Sequence, residues 1–222
     1  MTISKFDKKL QKTIIFLMFS LGCYAQAANI QDERVVDLSE VSAEDITLAL
    51  IADRSGGALS LNSLGQYVLN ASLRIRSRSS LRLEKAELYI GQWNLTLESS
   101  KLHFENFKIQ AFSKEQEPKS EAAQAGNLKV LAFKSDAQAV DENPIEITGN
   151  LNAILVGGDS KSGGSIDLPA SAVFELNLEY DLRSGGQGGV NGRLSYSLQG
   201  THVAYEPDGV ESSDLSLIFP AS

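Results

Sequence analysis

Residues 80–104 read SLRLEKAELYIGQWNLTLESSKLHF, with a leucine at 81, 88, 95 and 102. A seven-residue leucine repeat marks a helical seam only when a second apolar residue follows each leucine three or four positions on, because those positions share one side of a helix. Four after each leucine stand Lys85, Gln92, Ser99 and Asn106, whereas the apolar partners Leu83, Ile90, Leu97 and Phe104 sit two residues on. A spacing of two is the signature of β-structure. The stretch therefore predicts short strands with one apolar face, interrupted near Glu84-Lys85, Gly91-Gln92 and Ser99-Ser100, and the heptad is a count of strand plus turn.

The same alternation recurs outward from this stretch, in Leu69, Ala71, Leu73 and Ile75 and again in Ile145, Ile147, Leu151, Ala153 and Leu155. Further rows are Phe174, Leu176, Leu178, Tyr180 and Leu182, then Leu194, Tyr196, Leu198, His202 and Ala204, and last Leu215, Leu217 and Phe219. Each predicts a strand with one wet face. Glycine clusters at 157–164 and 183–192, and Glu206–Gly209, read as tight reversals. The fold class expected is all-β: antiparallel sheets forming a β-sandwich or a partly closed meander, with four long strands in the C-terminal half. At 42–50, Ser42 and Asp45 could open a helix as a capping box, but the alternation of Ile46, Leu48 and Leu50 favours a strand.

Four lysines, Lys5, Lys8, Lys9 and Lys12, precede the apolar run TIIFLMFSLGCYA, and small residues, Ala25 and Ala27, stand where signal peptidase reads. This predicts a secretory signal peptide at 1–27 and a mature chain at 28–222, a single β-rich domain with a mobile loop at about 113–126. The apolar run is too short to span a bilayer, which needs about 20 residues. Ser20, Leu21 and Gly22 before Cys23 resemble a lipoprotein signal with its leucine one place late, making lipidation at Cys23 the lesser outcome. Cleavage after Ala27 would remove Met1, Met18 and Cys23, leaving no sulfur. Disulfides, thiol nucleophiles and cysteine-bound metals are thereby excluded from the mature chain.

The formal charge of −8 becomes −11 once the four lysines and Asp7 of the leader are gone. So acidic a surface repels nucleic acid and anionic lipid at long range. No nucleophile elbow, zinc-protease helix motif or phosphate-binding glycine loop is present, and neither GGQGGVN nor GGDSKSGGSID supplies the ligands of a calcium loop. No cofactor or metal is expected. Of the two histidines, His202 reads as a core or barrel-lining residue and His103 as an exposed one. Asn70 and Asn94 lie in glycosylation sequons that read as chance matches on strands.

Two charge ladders remain. Arg74, Arg76 and Arg78 project from one strand face at spacing two and could grip a polyanion such as a lipid phosphate or an acidic glycan. Glu175, Glu179 and Asp181 form the other, and pairing between the ladders or simple solvation would equally explain both. The expected function is that of an exported cell-envelope β-protein, periplasmic or extracellular, with a non-catalytic binding or structural role: a lipid or glycan carrier, or a component of a surface assembly. Its partners would be a lipid, a glycan or another envelope protein. The alternatives are a small outer-membrane β-barrel and a carboxylate hydrolase using Glu175 and Glu179.

Overall fold

The computed structural model describes residues 33–222 except 79, 113–123, 134–144, 159–160, 170–171, 187, 199–200, 207–209 and 215–222, and gives backbone alone at 197–198, 201–203 and 210–214. Fifteen strands occur among them: β1 (Arg34–Asp37), β2 (Leu59–Leu61), β3 (Tyr67–Leu69), β4 (Leu73–Arg76), β5 (Ser80–Glu84), β6 (Glu87–Tyr89), β7 (Leu95–Ser99) and β8 (Lys101–Gln110). They continue as β9 (Leu128–Ala132), β10 (Ile145–Ile154), β11 (Ile166–Asp167), β12 (Ala172–Asp181), β13 (Leu194–Leu198), β14 (Thr201–Tyr205) and β15 (Val210–Asp214).

The strands of 80–104 and the rows at 145–155 and 174–182 fall where the alternation placed them, whereas the rows at 69–75 and 194–204 are each split between two strands and the row at 215–219 lies outside the described residues. The pairing overturns the antiparallel expectation. One sheet runs β1-β4-β7-β9-β11-β13-β14 and the other β15-β12-β10-β8-β6-β3-β2, with β5 also on β8. Both are mixed, mostly parallel and not closed. The antiparallel pairs are β13 with β14, β12 with β15 and β2 with β3. From β4 to β13 the chain alternates sheets, so each circuit lays one rung on each, and the opposite sheet serves as the crossover that parallel strands need. The result is a two-sheet solenoid, in which each turn stacks on its neighbours.

Leu73 lies beside Leu95, Leu81 beside Leu102 and Leu88 beside Ile109, so one circuit takes 21 or 22 residues. The leucine heptad is thus a third of a circuit. Later circuits are longer because they carry 113–123 and 134–144. Those segments, which cover most of the expected loop, lie outside the described residues.

Side chains at equal positions in the circuit stack in columns. Leu73, Leu95, Leu128, Ile166 and Leu194 form one on the first sheet, and Leu81, Leu102, Ile147 and Phe174 another on the second. All are at most 2% exposed and belong to one core cluster. The long rungs kink where β8 places Glu105 and Asn106 against Asn150 of β10. Asn106 and Gly149 take positive φ there, and a Cβ on Gly149 would lie 1.9 Å from the Phe104 carbonyl oxygen.

The corners are stacked as tightly as the strands. Before each rung of the first sheet stands a polar residue, Ser72, Asn94, Asn127 or Ser165, whose side chain bonds the next circuit. Ser72 Oγ accepts from the Asn94 amide at 3.2 Å, Asn94 Oδ1 from the Asn127 amide at 3.1 Å, and Asn127 Oδ1 from the Ser165 amide at 2.8 Å. Ser165 Oγ then accepts from the Arg193 amide at 3.2 Å. Replacing Asn127 by alanine breaks this ladder at its centre and orphans the part-buried Ser165 amide. A loss of about 1–3 kcal/mol is expected, read as a lower urea midpoint at constant m-value.

The glycine clusters are corners of this stack and not hairpin reversals. The Gly157 amide donates to the Arg183 carbonyl at 3.0 Å, and the Gly185 amide to the Lys161 carbonyl at 3.1 Å. The 42–54 region also departs from expectation. A 3-10 turn (Ala43–Asp45) precedes helix α1 (Leu48–Arg54), in which Thr47 Oγ1 caps the Leu50 amide at 3.2 Å. Ser42 makes no side-chain cap bond. Leu48 and Ile51, three apart, are the residues that α1 buries.

Candidate functional site

Arg74 and Arg76 of the arginine ladder lie on β4, at the first sheet's outer face, and both are engaged, whereas Arg78 stands past the strand's end and does not extend the row. Glu98, on the neighbouring strand β7 and 2% exposed, takes Arg74 Nε at 2.8 Å and Nη2 at 2.5 Å on Oε2, and Arg76 Nε at 3.2 Å on Oε1. Arg76 further lies 4.7 Å over the Phe133 ring and 3.9 Å from Asp37. Hydrogen bonds from Ser39 hold the Asp37 carboxyl below its usual range. Arg78 is exposed. A carboxylate shared by two guanidiniums joins rung to rung and offsets part of the positive charge that a polyanion would meet.

The acidic ladder is on β12 of the other sheet, so the two ladders do not meet. Asp181, 6% exposed, is clasped by Arg183, from Nε at 2.9 Å and Nη2 at 2.8 Å, which raises the guanidinium's pKa. Glu179 accepts from Asn152 Nδ2 at 2.6 Å, and Glu175 is exposed. Four strand residues separate Glu175 from Glu179, about 13 Å at roughly 3.3 Å per residue. Glycosidase carboxylate pairs stand about 5–9.5 Å apart, a spacing that the backbone positions of Glu175 and Glu179 exceed.

Other charges on the second sheet also pair from strand to strand. Glu105 receives Lys85 at 2.9 Å and Arg82 at 2.7 Å, and these two cations, Lys85 first, hold its carboxyl at about 2. Arg82 also meets Glu84, Lys101 meets Glu146 at 2.7 Å and Lys108 meets Glu87 at 2.9 Å. His103 is half-buried on the outer face, with Nδ1 2.8 Å from Thr148 Oγ1. The side chain of His202 lies outside the described residues, as do Cys23, Ala25 and Ala27. Both sequon asparagines are structural: Asn94 belongs to the corner ladder, and Asn70 Nδ2 bonds the Gly57 carbonyl at 3.0 Å.

What the sequence did not single out is a groove of about 590 Å³ beside β5. Rung β5-β6 has an uneven neighbourhood, since β6 is flanked by β3 while β5 pairs with β8 and, among the described residues, with no other strand. Residues 43–49 border the vacant half-rung. Leu83 and Ile46, 2% and 4% exposed, are among its apolar walls with Tyr67, and Glu44, Arg82 and Glu84 are among its polar ones. The volume falls within the range of ligand sites, about 300–1,000 Å³. Such a gap leaves no sequence signal, because it comes from what packs beside a strand.

Among the described residues no group of three His, Cys, Asp or Glu side chains is placed to hold a metal ion, and no helix is long and apolar enough to cross a membrane. Comparison of the chain with protein-family models, curated proteins and solved structures gives no match.

Proposed function

We propose that the chain is an exported cell-envelope protein with a non-catalytic role, a stiff component of a surface assembly that acts by contact with a partner. The observation that carries this reading is the rung-to-rung cross-linking of polar groups. Arg74 and Arg76 close on Glu98 and each corner asparagine accepts from an amide of the next circuit, an arrangement suited to a stable shape. Carriage of a lipid between the sheets is the weaker form of the proposal. The inward columns are packed into one buried cluster, and the main groove is on the outside.

Fractionation of the native host with mass spectrometry of the mature N-terminus tests the proposal. A chain starting at Ala28 in the periplasmic or secreted fraction is the expected result. An acylated Cys23 would keep the envelope location and add membrane attachment, whereas an uncleaved chain in the cytoplasm would overturn the proposal.

A further inference from the structure

We infer that the groove beside β5 receives an added β-strand from a partner protein, an extended segment with apolar side chains alternating with lysine or arginine. The inference deepens the contact role proposed above, and rests on it only for the place where the partner is met.

The backbone makes the groove strand-shaped. The Lys85 amide donates to the Glu105 carbonyl at 2.7 Å, and Glu84 lies opposite Glu105 in the parallel register. Peptide groups of a parallel strand address its two neighbours by turns. Leu81, Leu83 and Lys85 therefore bond β8, while the N–H and C=O groups of Arg82 and Glu84 point to the vacant side. An open row of donors and acceptors in the plane of a sheet is a template for another strand.

The walls specify which strand. Side chains on one face of the newcomer would meet Ile46, Leu83 and Tyr67, which favours valine or isoleucine. Those on the other face would meet Glu44 and Glu84. Arg82 is committed to Glu84 and Glu105, so Glu44 leaves the groove with an excess of negative charge, and the predicted mature chain is acidic as a whole. Basic outward residues complement this charge, and it disfavours an acidic strand.

The test uses the full chain and the capped peptide Lys-Val-Lys-Val-Lys-Val-Lys, with amide hydrogen exchange followed residue by residue. Exchange at Arg82 and Glu84 is expected to slow at least tenfold on saturation. The peptide with glutamate for lysine, and the peptide with proline for its central valine, are expected to bind at least tenfold more weakly. Arg82→Pro removes an N–H that β8 does not use, a place where a strand tolerates proline, and should abolish binding while the fold persists. Ala49→Trp, which fills the groove from α1 without touching a ladder, should do the same.

Unprotected amides at millimolar peptide, or unaltered binding by a folded Arg82→Pro or Ala49→Trp chain, would overturn the inference, as would equal binding of the acidic peptide. Amides protected in the free chain and released by deleting 215–222 would assign the groove to the chain's own LSLIF segment, and would overturn an outside partner. A cytoplasmic location would sink the envelope role and leave this binding result unchanged.

Discussion

Gly126→Ala is expected to cost about 3 kcal/mol or more and to collapse the cooperative unfolding of the central rungs. Gly126 occupies the corner before β9, where a Cβ would lie 1.8 Å from the Trp93 carbonyl oxygen and 2.6 Å from its carbon. The backbone there is not in the left-handed region, so alanine would meet no torsional penalty. What forbids it is the adjacent circuit. The obstructing atoms are main chain, held in their own turn by the bond from the Trp93 amide to the Ile90 carbonyl at 2.9 Å, and they can give way only if the rungs part.

Gly164 and Gly192 repeat the arrangement, with a Cβ coming to 2.0 Å of the Gly126 carbonyl oxygen and 1.8 Å of the Gly164 one. Gly188 is the useful contrast. It has φ +98 and open surroundings, so Gly188→Ala should lose only about 1–2 kcal/mol, the strain of a left-handed residue with a side chain. Urea titrations of both variants make the comparison. Equal losses would mean that corner stacking does not set the rung spacing.

Glu98→Ala has the next largest expected effect, about 2–3 kcal/mol. Removing one partner of a buried ion pair costs about 3–5 kcal/mol. Here the side chains of Arg74 and Arg76 are 35% and 24% exposed and recover part of that in water. Arg74→Ala should cost less, since Glu98 keeps Arg76. The alanine variant should also gain weak sulfate affinity, because it removes the negative charge that two guanidiniums on one face share. A folded Glu98→Ala chain as stable as the parent would show that the carboxylate contributes nothing net.

The strand reading of residues 80–104 agrees with the structure down to its interruptions, at Lys85 with φ 41, at Gly91 and at Ser100. It could do so because apolar side chains alternate with side-chain direction within one strand, even in β7, where Thr96 and Glu98 on the other face are also buried. The mostly parallel pairing was not legible, since an inward-outward alternation is the same whichever way the neighbour runs. The sequence does carry one signal of the topology: Ala71-Ser72-Leu73, Trp93-Asn94-Leu95, Gly126-Asn127-Leu128, Gly164-Ser165-Ile166 and Gly192-Arg193-Leu194 stand at the entries to β4, β7, β9, β11 and β13. Unequal insertions between the copies obscure the period. At 46–51 the competing spacings of two and three are both apolar, and burial of Leu48 and Ile51 against the end of the stack decides for a helix.

By itself, then, the sequence determined that the chain is built of strands with an apolar face, because side-chain direction alternates with a period of two along any strand. It determined the chemistry at hand as well, since residue types do not depend on folding. Only the tertiary structure decided which strands adjoin, that Arg74 and Arg76 share Glu98, and that β5 has a strand on one side only among the described residues. Those are properties of neighbours brought together from distant positions, Arg74 with Glu98 and residues 43–49 with β5, and no local pattern encodes them.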